Sequence, residues 1–64
     1  MLIINGKPSD AVGRTLLDYL QQAGLDPARV AVELDGEIVP RDRYRDTLLC
    51  EGQKVEIVRF VGGG

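Results

Sequence analysis

Thr15-Leu16-Leu17-Asp18-Tyr19-Leu20-Gln21-Gln22-Ala23-Gly24-Leu25-Asp26-Pro27 carries the helical period around which the rest of the chain is organised. Leu16, Leu17, Leu20 and Ala23 recur at i, i+1, i+4 and i+7, which places them on one face of a helix. Thr15 and Asp18 have the spacing of a capping box, with Asp where Glu is more usual. Gly24 can take the left-handed conformation that ends a helix, and Leu25 then folds back onto the last turn. Asp26-Pro27 forbids continuation.

Strands flank this helix. Residues 1–4 are an apolar run, too short for a secretory leader or a membrane span, and read as the first half of a hairpin. Asn5-Gly6 follows, the pair favoured where both central turn residues need positive φ. A second strand over residues 7–12 returns, and Pro8, lacking an N–H, suits an edge. After the helix, Val30, Val32 and Leu34 alternate onto one face, Asp35-Gly36 turns, and Glu37-Ile38-Val39 returns until Pro40. Residues 41–47 are polar and read as an irregular or single-turn helical segment. Leu48-Leu49 re-enters the core, Glu51-Gly52 turns, and residues 54–60 form the last strand. Val55 and Ile57 lie on one face of it, and Glu56, Val58 and Phe60 on the other.

The order strand, strand, helix, strand, short strand, strand is an α+β architecture. It matches the β-grasp, or ubiquitin-like, order: a mixed sheet packed on one main helix, with the last strand beside the first. The expected division is a β-grasp domain over residues 1–61 and a flexible Gly-rich tail over residues 62–64.

Composition narrows the chemistry. A chain of 64 residues is one domain with little room for both a core and a deep cleft. It has no histidine, which removes the commonest general base and metal ligand, and its one cysteine, Cys50, allows no internal disulfide. A lone cysteine suits a reducing cytoplasm. A formal charge of −2 argues against nucleic acid as a partner. No nucleophile–base pair stands out, so the chain is not expected to be an enzyme.

Gly62-Gly63-Gly64 does nothing for the fold, because glycine has the largest entropic cost of ordering. Either it is a plain frayed end or its use is steric. A tail without β-carbons is thin, threads a narrow channel, and presents the Gly64 carboxylate to chemistry inside. That carboxylate is ionised at neutral pH and a poor electrophile. It needs activation, most simply as an acyl-adenylate. The chain has no phosphate-binding loop, so a partner would supply the ATP site and no cofactor is bound here.

Several blocks, in order and across the whole chain, resemble the thiamine-biosynthesis sulfur carrier (ThiS) family. They are the Asn5-Gly6 turn, the helix opening Thr15-Leu16-Leu17-Asp18-Tyr19-Leu20, the stretch Val30-Ala31-Val32-Glu33-Leu34-Asp35-Gly36-Glu37-Ile38-Val39-Pro40-Arg41, and Gly52-Gln53-Lys54-Val55-Glu56-Ile57-Val58 with the tail. Asp35 stands where the family usually has Asn, and many members end in two glycines rather than three. The resemblance implies that Gly64 is the reactive glycine, with Gly63 its partner and Gly62 a spacer. It implies adenylation of Gly64 by a ThiF-like enzyme and displacement of AMP by a persulfide sulfur that a cysteine desulfurase supplies. The resulting thiocarboxylate passes sulfur to the thiazole synthase ThiG, with the carrier as co-substrate. The small subunit of molybdopterin synthase and a ubiquitin-like protein modifier share the fold and the glycine end, and stand as alternatives.

Val58 and Phe60 lie next to the tail on the face opposite the core side. They read either as a docking patch or, for Phe60, as packing at the strand end. Cys50 reads as structural rather than a sulfur relay. Arg41, Arg43 and Arg45, interleaved with Asp42 and Asp46, read as a solvated mixed-charge segment. Tyr19 is placed at the edge of the helix face.

Overall fold

The computed structural model describes residues 1–60. Five strands, β1 (Leu2–Ile4), β2 (Lys7–Ser9), β3 (Val30–Leu34), β4 (Glu37–Ile38) and β5 (Lys54–Arg59), form one sheet in the order β2, β1, β5, β3, β4. β1 runs parallel to β5, and the β1–β2, β3–β4 and β3–β5 pairings are antiparallel. Helix α1 (Leu16–Gln22) packs against this sheet, giving the α+β, β-grasp arrangement. β5 is therefore the central strand, and the chain leaves the sheet from its middle.

Local chemistry accounts for the elements. Both hairpin turns have two residues at positive φ, Asn5 (50°) with Gly6 (80°) and Asp35 (51°) with Gly36 (88°). That is the geometry a two-residue hairpin needs to match strand twist. Thr15 is the N-cap of α1, its hydroxyl accepting from Asp18 N at 3.1 Å. The reciprocal half of the expected capping box is replaced. The Asp18 carboxylate does not take the Thr15 N–H but accepts from Gln22 Nε2 one turn on, and the next amide, Leu16 N, donates to Thr47 O. At the other end Leu25 N donates to Leu20 O and Gly24 N to Gln21 O, the paired closure of a Schellman motif, with Gly24 at φ +76°. Asp26 caps a 3-10 turn, Pro27–Arg29, through Ala28 N at 2.9 Å.

The core is Leu2 and Ile4 from β1, Leu16 and Leu20 from α1, Val30 and Val32 from β3, Val55 from β5, and Ala11, Tyr44 and Leu49 from connections. Full burial of each large aliphatic member contributes about 1.5–3 kcal/mol. Leu17, Tyr19, Leu25, Leu34, Val39 and Ile57 pack on its margin.

Several boundaries and faces differ from the sequence expectation. The second strand stops at Ser9 rather than residue 12, because Ser9 Oγ accepts from Ala11 N at 3.2 Å and bends the chain inward. Ala11 is thereby buried, and Gly13 N then donates to Leu49 O. Ala23 is exposed, since it is already the C-cap where the chain turns away. Of the Leu48-Leu49 pair, Leu49 is fully buried and Leu48 is 55% exposed, as alternation in an extended run requires. The 41–47 segment is more than a polar connection. Arg41–Asp46 is a 3-10 helix that buries Tyr44, whose hydroxyl donates to Val30 O at 3.3 Å. β4 ends at Ile38 and β5 at Arg59, although Val39 N and Phe60 N extend the ladder through bonds to Val32 O and Arg29 O.

Candidate functional site

The glycines singled out for chemistry, Gly62, Gly63 and Gly64, lie outside the described residues, as does Val61. The strand that precedes them in the chain is β5. β5 is bonded on both flanks. On one side its register with β3 pairs Val55 with Leu34, Ile57 with Val32 and Arg59 with Val30. On the other, β1 reaches it through Ile3 N to Gln53 O and Asn5 N to Val55 O. Alternation aims Val55 and Ile57 at the core and turns Glu56 and Val58 outward.

Val58 and Phe60 are each 58% exposed, so Phe60 does not pack down at the strand end. The register surrounds Val58 with a distinct outer face. Ala31 stands opposite Val58, Glu33 opposite Glu56, and Ile38, 73% exposed, opposite Glu33. Two carboxylates thus face each other across neighbouring strands amid apolar side chains, and among the described residues neither belongs to an ion pair. Like charges so placed are mildly destabilising in the free protein. Ile38 and the glutamate pair escaped the sequence reading. Alternation puts each on a face, but only the β3–β5 register brings them together.

Other candidates fall elsewhere. Cys50 is exposed, its N–H donating to Gln53 Oε1 at 2.7 Å and its thiol 3.7 Å from Leu48 O. Arg41 Nε donates to Pro27 O at 3.0 Å, so it ties two connections together, while Arg43 and Arg45 are exposed. A shallow groove of about 360 Å³ between β4 and the 3-10 helix is lined by Leu34, Ile38, Val39, Pro40, Arg43 and Thr47, among others. Glu37 and Asp46 also line it, and its one hydroxyl, on Thr47, donates to Arg43 O at 2.7 Å rather than to a carboxylate. Among the described residues no group of His, Cys, Asp and Glu is placed to hold a metal ion, and no helix is long and apolar enough to cross a membrane.

The two hairpin turns touch β5 with their side chains. Asp35 Oδ1 accepts from Lys54 N at 2.9 Å at the strand's start. Asn5 meets Ile57 further along, Oδ1 accepting from its N–H at 2.7 Å and Nδ2 donating to its carbonyl at 3.3 Å. The Asp35 contact asks only for an acceptor, which an aspartate supplies.

Comparison with known proteins agrees with this architecture. The model of the ThiS family matches residues 2–64. The sulfur carrier protein ThiS of Bacillus subtilis is 40% identical over the full length of both chains. The thiazole synthase of Paramagnetospirillum magneticum is 41% identical over 64 residues, which is 98% of this chain but 20% of that protein, so the chain spans about one fifth of that relative's length. The crystal structure of the thiamine biosynthesis protein ThiS from Geobacter metallireducens superposes with a TM-score of 0.79 at 34% identity, covering 98% of this chain and 97% of that one. With the fold, the length and the order of its motifs in agreement, the chain belongs to the ThiS family.

Proposed function

We propose that this protein is a sulfur carrier for thiamine biosynthesis that works as a co-substrate and not as an enzyme. The observation that carries the reading is the match to carrier proteins through residue 64 and over full length, on a fold whose central strand leads into the glycines. In this reading the Gly64 carboxylate attacks the α-phosphate of ATP held by a ThiF-like adenylating enzyme. Pyrophosphate leaves and an acyl-adenylate forms. A persulfide sulfur, supplied through a cysteine desulfurase, attacks the acyl carbon and expels AMP to give an acyl disulfide. A thiol reductant then cleaves its S–S bond, leaving the terminal sulfur on the carbonyl as a thiocarboxylate while the two thiols end as a disulfide. The thiocarboxylate then serves as the sulfur nucleophile toward the thiazole synthase ThiG. Thiazole synthases that contain a segment similar to this chain support that pairing, since parts joined in one protein meet at high effective concentration.

The folded body is a handle. Gly62 and Gly63 supply reach, because residues without β-carbons fit a narrow channel in any backbone conformation. Val58 and Phe60, with Ala31 opposite Val58, offer partners an apolar docking surface at the root of the tail. The reducing cytoplasm suits an exposed free thiol at Cys50.

The test is mass spectrometry of the protein after incubation with an adenylating enzyme, ATP and a persulfide donor. A species heavier by one oxygen-to-sulfur exchange, mapped to Gly64, is expected. A plain carboxylate on every molecule under those conditions refutes the carrier reading. Covalent adducts on lysines of other proteins, without thiocarboxylate, would favour a protein modifier instead.

A further inference from the structure

β1 ends at Ile4, yet its contacts with β5 continue. After Asn5 N bonds Val55 O, the Asn5 side chain supplies the next rung, accepting from Ile57 N at 2.7 Å and donating to Ile57 O at 3.3 Å. The two partners demand an acceptor and a donor on one short side chain, which is the inventory of a primary amide. The same short-range geometry at Asp35 needs an acceptor alone. An acid is therefore at home in the second turn and misplaced in the first.

Asn5 is followed by Gly6, which has no side chain of its own to hinder approach of its nitrogen to Asn5 Cγ. That nitrogen can attack Asn5 Cγ. An N–C bond forms, the Cγ–Nδ2 bond breaks, and ammonia leaves carrying the former Gly6 amide proton. Water then opens the five-membered imide at either carbonyl, giving aspartate or isoaspartate, with no change of oxidation state. While Oδ1 and Nδ2 are both engaged by Ile57 the side chain is not free to rotate into that attack.

We infer that Asn5 is a site of spontaneous deamidation, held in check by its own two bonds to Ile57, and that its conversion weakens the last rung from β1 to β5 by breaking the bond to the Ile57 carbonyl. In the aspartate product a carboxylate oxygen takes the place of Nδ2 and faces the Ile57 carbonyl, an acceptor against an acceptor. In the isoaspartate product an extra methylene enters the backbone at a turn set by positive φ. Either way the change cannot be undone by refolding. It loosens β5 just below Val58 and Phe60. The inference uses no sulfur chemistry, so its failure would leave the carrier reading untouched.

The experiment follows the whole chain at neutral pH in buffer and in concentrated urea, with peptide mapping of residues 1–7. Conversion at Asn5 is expected in both, slower in buffer by on the order of tenfold or more, because attack must wait for local opening. In the purified isoaspartate product the Ile57 amide is expected to exchange its hydrogen faster, again by on the order of tenfold. Asn5→Gly keeps a residue suited to positive φ but has no side chain. It should lose the same protection at Ile57 and show no conversion at that position. Equal rates in buffer and urea, no conversion in urea, or unchanged Ile57 exchange in the isoaspartate product or in Asn5→Gly would each overturn the inference.

Discussion

Replacing Tyr44 tests whether the 3-10 helix belongs to the core. Its ring is 3% exposed and its hydroxyl donates to Val30 O at 3.3 Å, next to the β3–β5 pairing that holds the root of the tail. Tyr44→Phe keeps the ring and deletes one long hydrogen bond, a loss of about 0.5–1.5 kcal/mol. In a domain this small that lowers Tm by roughly 4–8 °C per kcal/mol. Tyr44→Ala also empties the ring's site, and truncating a buried aromatic costs about 3–5 kcal/mol. Total stability expected for this length is about 0.05–0.15 kcal/mol per residue, so the alanine variant should consume much of it and be partly unfolded at room temperature. Urea unfolding followed by far-UV circular dichroism measures both, since that signal does not depend on the removed phenol. An alanine variant within a few tenths of a kcal/mol of the parent would show that the segment lies on the surface, and the reasoning would fail. A phenylalanine variant as costly as alanine would assign the stability to the hydroxyl and not to the packing.

Leu49→Ala should cost about 2–5 kcal/mol, whereas Leu48→Ser should stay within about 0.5 kcal/mol, read by the same unfolding curves. Val58→Ala with Phe60→Ala should leave Tm nearly unchanged and slow sulfur loading by raising the carrier concentration needed for half-maximal rate; an unchanged concentration dependence removes these residues from docking. Deleting Gly63 and Gly64 should abolish loading, measured by intact mass, with unfolding midpoints equal to the parent's. Adding salt to the loading assay should weaken docking if partners present cations to Glu33 and Glu56, because exposed charges are screened within about 8–10 Å.

Local chemistry made much of the fold readable. Asn5-Gly6 and Asp35-Gly36 require positive φ whatever surrounds them, Thr15 caps its own helix, and Gly24 ends it within two residues. The alternation of Val30, Val32 and Leu34 needs no neighbour to be recognised. What escaped depends on residues far apart. Tyr44 sits among charges in sequence, and its burial is set by its partner Val30, fourteen positions earlier. Asn5 looks like a turn residue until Ile57, fifty-two positions away, is laid beside it. The second strand was overextended because nothing in the residues past Pro8 announces that Ser9 will turn back on Ala11. At the candidate site, alternation put Val58 and Phe60 on the outer face but left open whether Phe60 packs at the strand end, while Glu33, Glu56 and Ile38 became a set only through strand register.

The central position of β5 also has a mechanical meaning. Hydrogen bonds in a sheet lie across the strands, so tension along β5 loads its rungs to β1 and β3 side by side, in shear. An edge strand pulled away sideways would instead open one rung at a time. A partner that draws on the chain beyond Phe60 therefore pulls against two neighbours at once, and the body resists as a unit.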